Sequence, residues 1–405
     1  MIMARGILDS LHEALAQSDE FRDLRSRMDS HGAAVCVEGV SGAGKALLCA
    51  GLLRDPEATA LVATYNEERA RAIYDDLRAL LADSDSPKGS ERVLLYPAIA
   101  SALYDGVEPE RQQVADRLTV LERLCSGRPV IAVAAVSSLL HLTMPRREII
   151  KARRELRTGE NYARDDIAFA LLNLGYERTN LVDDIAQFSI RGDILDVSPP
   201  TSPYPVRVEF FGDEVERIRT FDPITQRSIQ PVDSVGIGPA GELLLSREAV
   251  QKSFPAIKSA FRRELDQLNS QEKYREAERL KARMEQDLEA LRNLTATPSM
   301  MHYLPFIYSE LDSLCDYLPS DAYLIVDEPV RIKSHAVQFE EDVHKAYDKG
   351  VKLGSLLRLP ETACMPFAKL AARHFSAPRE RPVVYLTMLQ REVPWAPNAE
   401  VVRFR

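Results

Sequence analysis

Residues Gly39-Val40-Ser41-Gly42-Ala43-Gly44-Lys45-Ala46 have the types and spacing needed to hold a phosphate chain. Glycines in such a loop let successive backbone N–H groups turn inward, the helix that follows adds positive potential at its N-terminus, and the lysine reaches the outer phosphates. Gly39, Gly42, Gly44 and Lys45 fit that pattern, and Ala46 departs from it. It stands where a serine or threonine hydroxyl would hold Mg²⁺, the ion that neutralises charge in phosphoryl transfer. Asp327-Glu328, directly after the apolar run Leu324-Ile325-Val326, have the character of a strand end at which Asp327 approaches the metal and Glu328 activates water. Three readings stay open: a working ATPase, a loop that binds ATP weakly without turnover, and a structural remnant of a phosphate-binding loop. The missing hydroxyl favours the last two. So does the absence of room for a second motor lobe, which helicase-type engines need to supply an arginine across the cleft.

A second constellation carries recognition chemistry. Phe188–Thr220 alternates apolar and polar residues in short runs broken by Gly192 and by the cluster Pro199-Pro200-Thr201-Ser202-Pro203, which reads as an antiparallel β-meander. In the run 205–211, Val206, Val208 and Phe210 fall on one face and Arg207, Glu209 and Phe211 on the other. A face carrying arginine, a carboxylate and a large aromatic suits a protein partner, and Arg191, Arg207, Glu209 and Phe211 are its candidate contacts. Gly192 is expected to permit a bend or bulge directly after Arg191. The plain alternative is that the arginines pair with Asp193, Glu209 or Asp213 on a solvated sheet while Phe211 packs on a helix bearing Phe169, Leu172 and Leu174. If the face is exposed, changing Arg207 or Phe211 leaves folding intact.

The elements that position these residues follow from periodicity. Near-continuous apolar strands at 33–37, 60–64, 92–96 and 130–135 alternate with helices at 46–53, 66–81 and 111–124, the pattern of a parallel sheet covered on both faces. Helical spacing opens the chain at Ile7, Leu8, Leu11 and Leu15. A helix is expected at 162–174, a charged helix or helical hairpin at 261–294 with its break near Gln271, and further strands at 323–326 and 382–386 that rejoin the first sheet. The chain divides into an α/β domain (1–150), an inserted α+β domain (151–236), a mostly helical domain (237–318), and a return to the first domain with a C-terminal linker (319–405).

Composition excludes other classes. The 405 residues carry a formal net charge of −9, against wholesale coating of duplex DNA. Five cysteines without a C-x-x-C pair read as small buried hydrophobes of a reducing cytoplasm. His12-Glu13 begins like a zinc-protease motif, but Ala16 occupies the second histidine position, so no metal site is expected. The longest apolar run, 130–142, is too short for a bilayer, and no secretory signal is visible. The location expected is cytoplasmic, with no membrane partner.

The runs FSIRGDILDVSPP and VRVEFFGDEVERIRTFDPITQRS resemble the inserted domain shared by the excision-repair protein UvrB and the transcription-repair coupling factors. The order of domains along the whole chain is similar as well. Within the family, Ala46 and the short stretch 96–111, with only Tyr96 and Tyr104 aromatic and no hairpin-length insertion, look like the UvrB-mimicking modules of the coupling factors. The resemblance implies a fold in which a helicase-type RecA-like sheet carries an inserted α+β domain and a helical domain. It implies that the inserted domain docks UvrA through Arg191, Arg207 and Phe211. It also implies that no cofactor is required, although weak ATP binding stays open. RNA polymerase and DNA would be reached through parts of a longer parent, an ATP-dependent translocase, and this piece would recognise rather than catalyse. The alternatives are a UvrB-like DNA-dependent ATPase of damage verification, and an unrelated phosphate-loop protein with a decorative β insert.

Overall fold

The structure, a computed structural model, describes residues 2–28, 34–82, 88–99, 109–359, 363–376, 381–389 and 392–404. Helices α1 (Ile2–Gln17) and α2 (Asp19–Met28) lead into strand β1 (Ala34–Glu38). Then follow α3 (Ala43–Leu52), β2 (Ala60–Thr64), α4 (Glu67–Leu80), β3 (Val93–Tyr96), α5 (Arg111–Cys125) and β4 (Ile131–Ala135). Every residue of β2 and β4 is buried, which is what an apolar run without alternation implies. Asn66 starts α4 by accepting the Arg69 N–H at 2.9 Å, with Glu67 and Glu68 in the first turn complementing the helix dipole.

The inserted domain is opened by β5 (Arg154–Arg157). It contains helix α6 (Arg164–Asn173) and strands β6 (Glu177–Arg178), β7 (Gln187–Arg191), β8 (Ile194–Val197), β9 (Val206–Phe211), β10 (Glu214–Phe221) and β11 (Ser228–Val232), and is closed by β12 (Ser234–Ile237). Strand β12 pairs with β5, so a two-stranded ribbon forms the neck where the chain leaves the α/β domain and comes back. Six strands, ordered β11-β10-β9-β8-β7-β6, make the domain's sheet, antiparallel except for the short β6–β7 pair. Helices α7 (Arg247–Ser270) and α8 (Tyr274–Arg292) form a hairpin that turns at 271–273, as the broken heptad near Gln271 implies.

The chain then returns through β13 (Tyr323–Asp327), the long helix α9 (Pro329–Lys352), β14 (Val383–Thr387) and β15 (Glu400–Arg403). Together these strands complete a seven-stranded parallel sheet of order β15-β1-β14-β13-β2-β4-β3. One core lies on each side of this sheet, and one of them runs unbroken into the hairpin through Phe261, Leu280 and Tyr303. The inserted domain has its own core.

Several expectations are corrected. The C-terminal stretch read as a linker includes β15, which pairs with β1 and buries Val402. Its run of two valines between charged residues is too short to register as a strand by pattern. Helix α3 starts at Ala43, inside the glycine loop, because Gly42 supplies the turn before it. Gly192 makes a tight hairpin turn rather than a bulge, with Arg191 opposite Ile194. Of the stretch 96–111, residues 100–108, including Tyr104, lie outside the described residues.

His141, just beyond β4, is fully buried edge-on to Phe339, with no hydrogen-bond partner at either ring nitrogen. Burial, reinforced by the charge of Arg117, pushes its pKa down to about 3. Between the ordinary histidine pKa and that value, the unfolded chain takes up a proton that the folded chain refuses. Stability from this group is therefore complete above the ordinary value and falls as pH drops, by up to roughly 1.4 kcal/mol per pH unit. His141→Leu is expected to flatten the pH dependence of urea unfolding between about pH 6.5 and pH 4; an unchanged slope contradicts this assignment.

Candidate functional site

The sequence-identified phosphate loop and the Asp327-Glu328 pair come together at the carboxyl ends of β1 and β13. Gly39 has φ +89°, and a Cβ there would lie 2.4 Å from the Phe404 carbonyl oxygen, so only glycine fits where the chain passes over the loop. Gly44 donates its N–H to the Ser41 carbonyl at 3.0 Å and begins the helical turn. The Lys45 side chain is buried, and its Nζ lies 2.6 Å from Asp327 Oδ1 and 2.5 Å from Glu328 Oε1. Asp327, wholly buried, receives a second cation, Arg69 Nε, at 2.8 Å on Oδ2. Burial alone would lower the Arg69 pKa, but the hydrogen bond and charge of Asp327 outweigh it and hold the guanidinium above its ordinary value. Glu328 takes a left-handed backbone conformation, φ +57°, and its Oε1 also accepts the Met388 N–H at 2.9 Å. Ala46 is fully buried and contributes only a methyl group.

This cluster holds two cations and two carboxylates, so it is neutral and satisfied from within. Lys45 points at carboxylates, and Glu328, the candidate base, is tied to Lys45 and to a backbone amide. Arg69 escaped the sequence reading because nothing in local spacing links the first turn of α4 to a strand end 258 residues later. Among the described residues, no group of histidine, cysteine, aspartate or glutamate side chains is arranged to hold a metal ion.

The second constellation lies on the sheet of the inserted domain. Val206, Val208 and Phe210 point into the core with Phe188, Leu195 and Val197, beneath Ile167 and Leu171 of α6. Arg207, Glu209 and Phe211 share the opposite face. The row through Glu209 contains Ile194 on one side and Arg217 on the other, with Arg191 beyond Ile194. Phe211 is 80% exposed. It precedes the Gly212-Asp213 turn, and Arg191 precedes Gly192-Asp193; both glycines have positive φ, as two-residue hairpin turns of this kind require. Arg164 braces the first turn through the Gly192 carbonyl at 2.9 Å, and the Phe210 N–H bonds the Asp193 carbonyl at 2.8 Å.

The arginines differ from their expected state. Neither pairs with Asp193, Glu209 or Asp213. Both bind Asp196, a buried carboxylate on β8. Arg207 grips it bidentately at 2.6 and 2.8 Å, and Arg191 reaches it at 2.9 Å. Arg207 also stacks 4.7 Å from the Phe221 ring centroid and bonds Gln226 at 3.4 Å, leaving its side chain only 17% exposed. The hydrogen bond to Asp196 raises its pKa. Glu209 is held by Arg219. Phe211 does not pack on α6, whose Phe169 and Leu172 are themselves exposed.

Comparison with known proteins agrees with this architecture. Residues 155–243 match the UvrB interaction domain and residues 248–307 the UvrB third helical domain. The chain is 30% identical over 389 residues to the transcription-repair-coupling factor of Bacillus subtilis, covering 95% of this chain and 31% of that protein. It is 30% identical over 348 residues to that of Myxococcus xanthus, covering 84% and 27%. It is 28% identical over 301 residues to UvrABC system protein B of Methanothermobacter thermautotrophicus, covering 72% and 46%. The chain thus spans about a third of the length of these coupling factors and under half of that UvrB. Its architecture is that of a UvrB-like module: a parallel α/β domain followed by segments that match a UvrB interaction domain and a UvrB third helical domain. Over most of its own length it is similar to the transcription-repair-coupling factors. No helix of the described residues is long and apolar enough to cross a membrane.

The two halves of the face make opposite demands on stability. Arg207→Glu sets a carboxylate against buried Asp196 and is expected to cost on the order of 3 kcal/mol, whereas Phe211→Ala stays within about 0.5 kcal/mol of the parent. Chemical denaturation of both variants checks this contrast; equal stabilities contradict the placement of Arg207.

Proposed function

We propose that this chain recruits the nucleotide excision repair protein UvrA to stalled RNA polymerase, and that its phosphate loop is a degenerate nucleotide site. The observation that carries this reading is Phe211. A large aromatic stands 80% exposed at the β9–β10 hairpin turn, on the same sheet face as the half-exposed Arg191, within residues that match the UvrB interaction domain. An ordered aromatic loses little conformational freedom on docking, and a rim of charges around it supplies orientation, the arrangement from which interface hot spots are made. Arg207 contributes differently from an open docking charge. It neutralises Asp196 beneath the face and offers a partner only the outer edge of its guanidinium. RNA polymerase and DNA would be engaged by other parts of a longer protein.

The second reading, a UvrB-like DNA-dependent ATPase, keeps support from the retained glycines, Lys45 and the Asp327-Glu328 pair. The ion pairs that occupy Lys45 and Asp327, together with Ala46, favour the first.

The test is equilibrium binding to purified UvrA. Phe211→Ala is expected to weaken capture about tenfold or more, equivalent to at least ~1.4 kcal/mol, with melting unchanged. Arg191→Ala should weaken it in the same direction. A Phe211→Ala chain that binds UvrA as well as the parent removes this surface from the interface.

A further inference from the structure

The carboxylate on which a bound Mg²⁺ would depend already carries its counter-charge. Asp327 has no solvent exposure, and each of its oxygens faces a different cation, Oδ1 facing Lys45 Nζ and Oδ2 facing Arg69 Nε. Mg²⁺ requires oxygen ligands in near-octahedral geometry at about 2.0–2.1 Å and gives up its water reluctantly. Here the candidate oxygens of Asp327 are taken, Ala46 offers none, and Glu328 Oε1 is shared between Lys45 and the Met388 N–H. The residues do not fit a metal–nucleotide pair.

We infer that Arg69 stands in for the metal: its guanidinium neutralises the Asp327 carboxylate that Mg²⁺ would bind, so exclusion of Mg-nucleotide is built into α4 as well as into Ala46. This inference rests on the degenerate-site reading and names the residue that enforces it.

The placement of Arg69 is fixed by the fold. Strands β2 and β13 are neighbours, with Ala63 opposite Val326, so the chain leaving β2 emerges beside Asp327. Thr64 Oγ1 bonds the Asn66 carbonyl at 3.0 Å, and Asn66 Oδ1 caps the Arg69 N–H, which makes a rigid corner that aims the first turn of α4 at the strand end. A guanidinium, unlike a lysine ammonium, does not lose its proton in a protein, so raising the pH does not vacate the position. Two cations on one buried carboxylate would also repel a divalent ion brought among them.

The experiment titrates a fluorescent ADP analogue, with Mg²⁺ or with EDTA, against the full chain and against Ala46→Thr, Ala46→Thr/Arg69→Met and Ala46→Thr/Arg69→Gln variants. Restoring the hydroxyl alone is expected to change affinity less than roughly threefold, and removing the guanidinium as well is expected to give binding at least about tenfold tighter, with the gain lost in EDTA. The glutamine variant keeps a hydrogen-bonding side chain on Asp327, and Lys45 stays as the remaining cation, so cooperative melting is expected. A folded double variant that binds no better than Ala46→Thr, or Ala46→Thr alone acquiring the full Mg²⁺-dependent affinity, overturns the inference and leaves the degenerate-site reading standing. Tight, Mg²⁺-dependent binding by the unaltered chain removes both. The unaltered chain is also read with Mn²⁺ alone by electron paramagnetic resonance: the ion is expected to stay free, and a bound-Mn²⁺ signal overturns the inference.

Discussion

The buried carboxylate of Asp327 is the constraint around which the α/β domain closes. It is 282 residues from Lys45 in sequence, yet it binds the glycine loop after β1 and the first turn of α4 after β2. The sheet places β14 and β13 between β1 and β2, so the first strands have no complete sheet until the chain returns from the inserted and helical domains. A charge in this position must be compensated locally, because an unpaired carboxylate in the interior is far more costly than the pair it forms. Lys45 and Arg69 supply that compensation from within the chain. The loop then serves as a structural joint between the early and late segments.

A closed sheet frees the inserted domain to specialise. Its sheet is two-sided in chemistry: Val206, Val208, Phe210 and their neighbours bury against α6, and the other face presents charge around an exposed ring. The domain is also fastened to the α/β body. Arg117 of α5, wholly buried, pairs with Glu242 at 2.9 Å just beyond the neck, and Arg111 at the start of the same helix pairs with Glu177 at 2.9 Å. These pairs tie the inserted domain to the body that carries it. Such an arrangement would suit the proposed recruitment, in which a bound partner must be held in a defined orientation.

Much of this was legible in the residues themselves. Period-two alternation from 205 to 211 sorts Phe210 inward and Phe211 outward, because a strand allows no other arrangement for adjacent aromatics. The fully apolar runs of β2 and β4 and the glycine loop before α3 are equally direct. What local pattern cannot carry is pairing across the fold. Asp196 reads as one more polar residue of an alternating strand, and only the register of β7, β8 and β9 makes it the shared anion for Arg191 and Arg207. Arg69 is hidden for the same reason. Strand β15 is too short to declare itself, and α9 was passed over even though Ile332, Ala336, Val343, Tyr347 and Val351 recur at helical spacing after Pro329.

UvrA is proposed to dock on the face bearing Phe211, and two exposed aromatics on opposite sides of the inserted domain make that directly measurable. A photo-crosslinking phenylalanine analogue placed at 211, and separately at Phe169 on the outer surface of α6, would be irradiated in the presence of UvrA. Docking on this face predicts a UvrA adduct from position 211 and none from position 169, which is 60% exposed on the helix that covers the opposite face of the sheet. An adduct from 169 with none from 211 would contradict it.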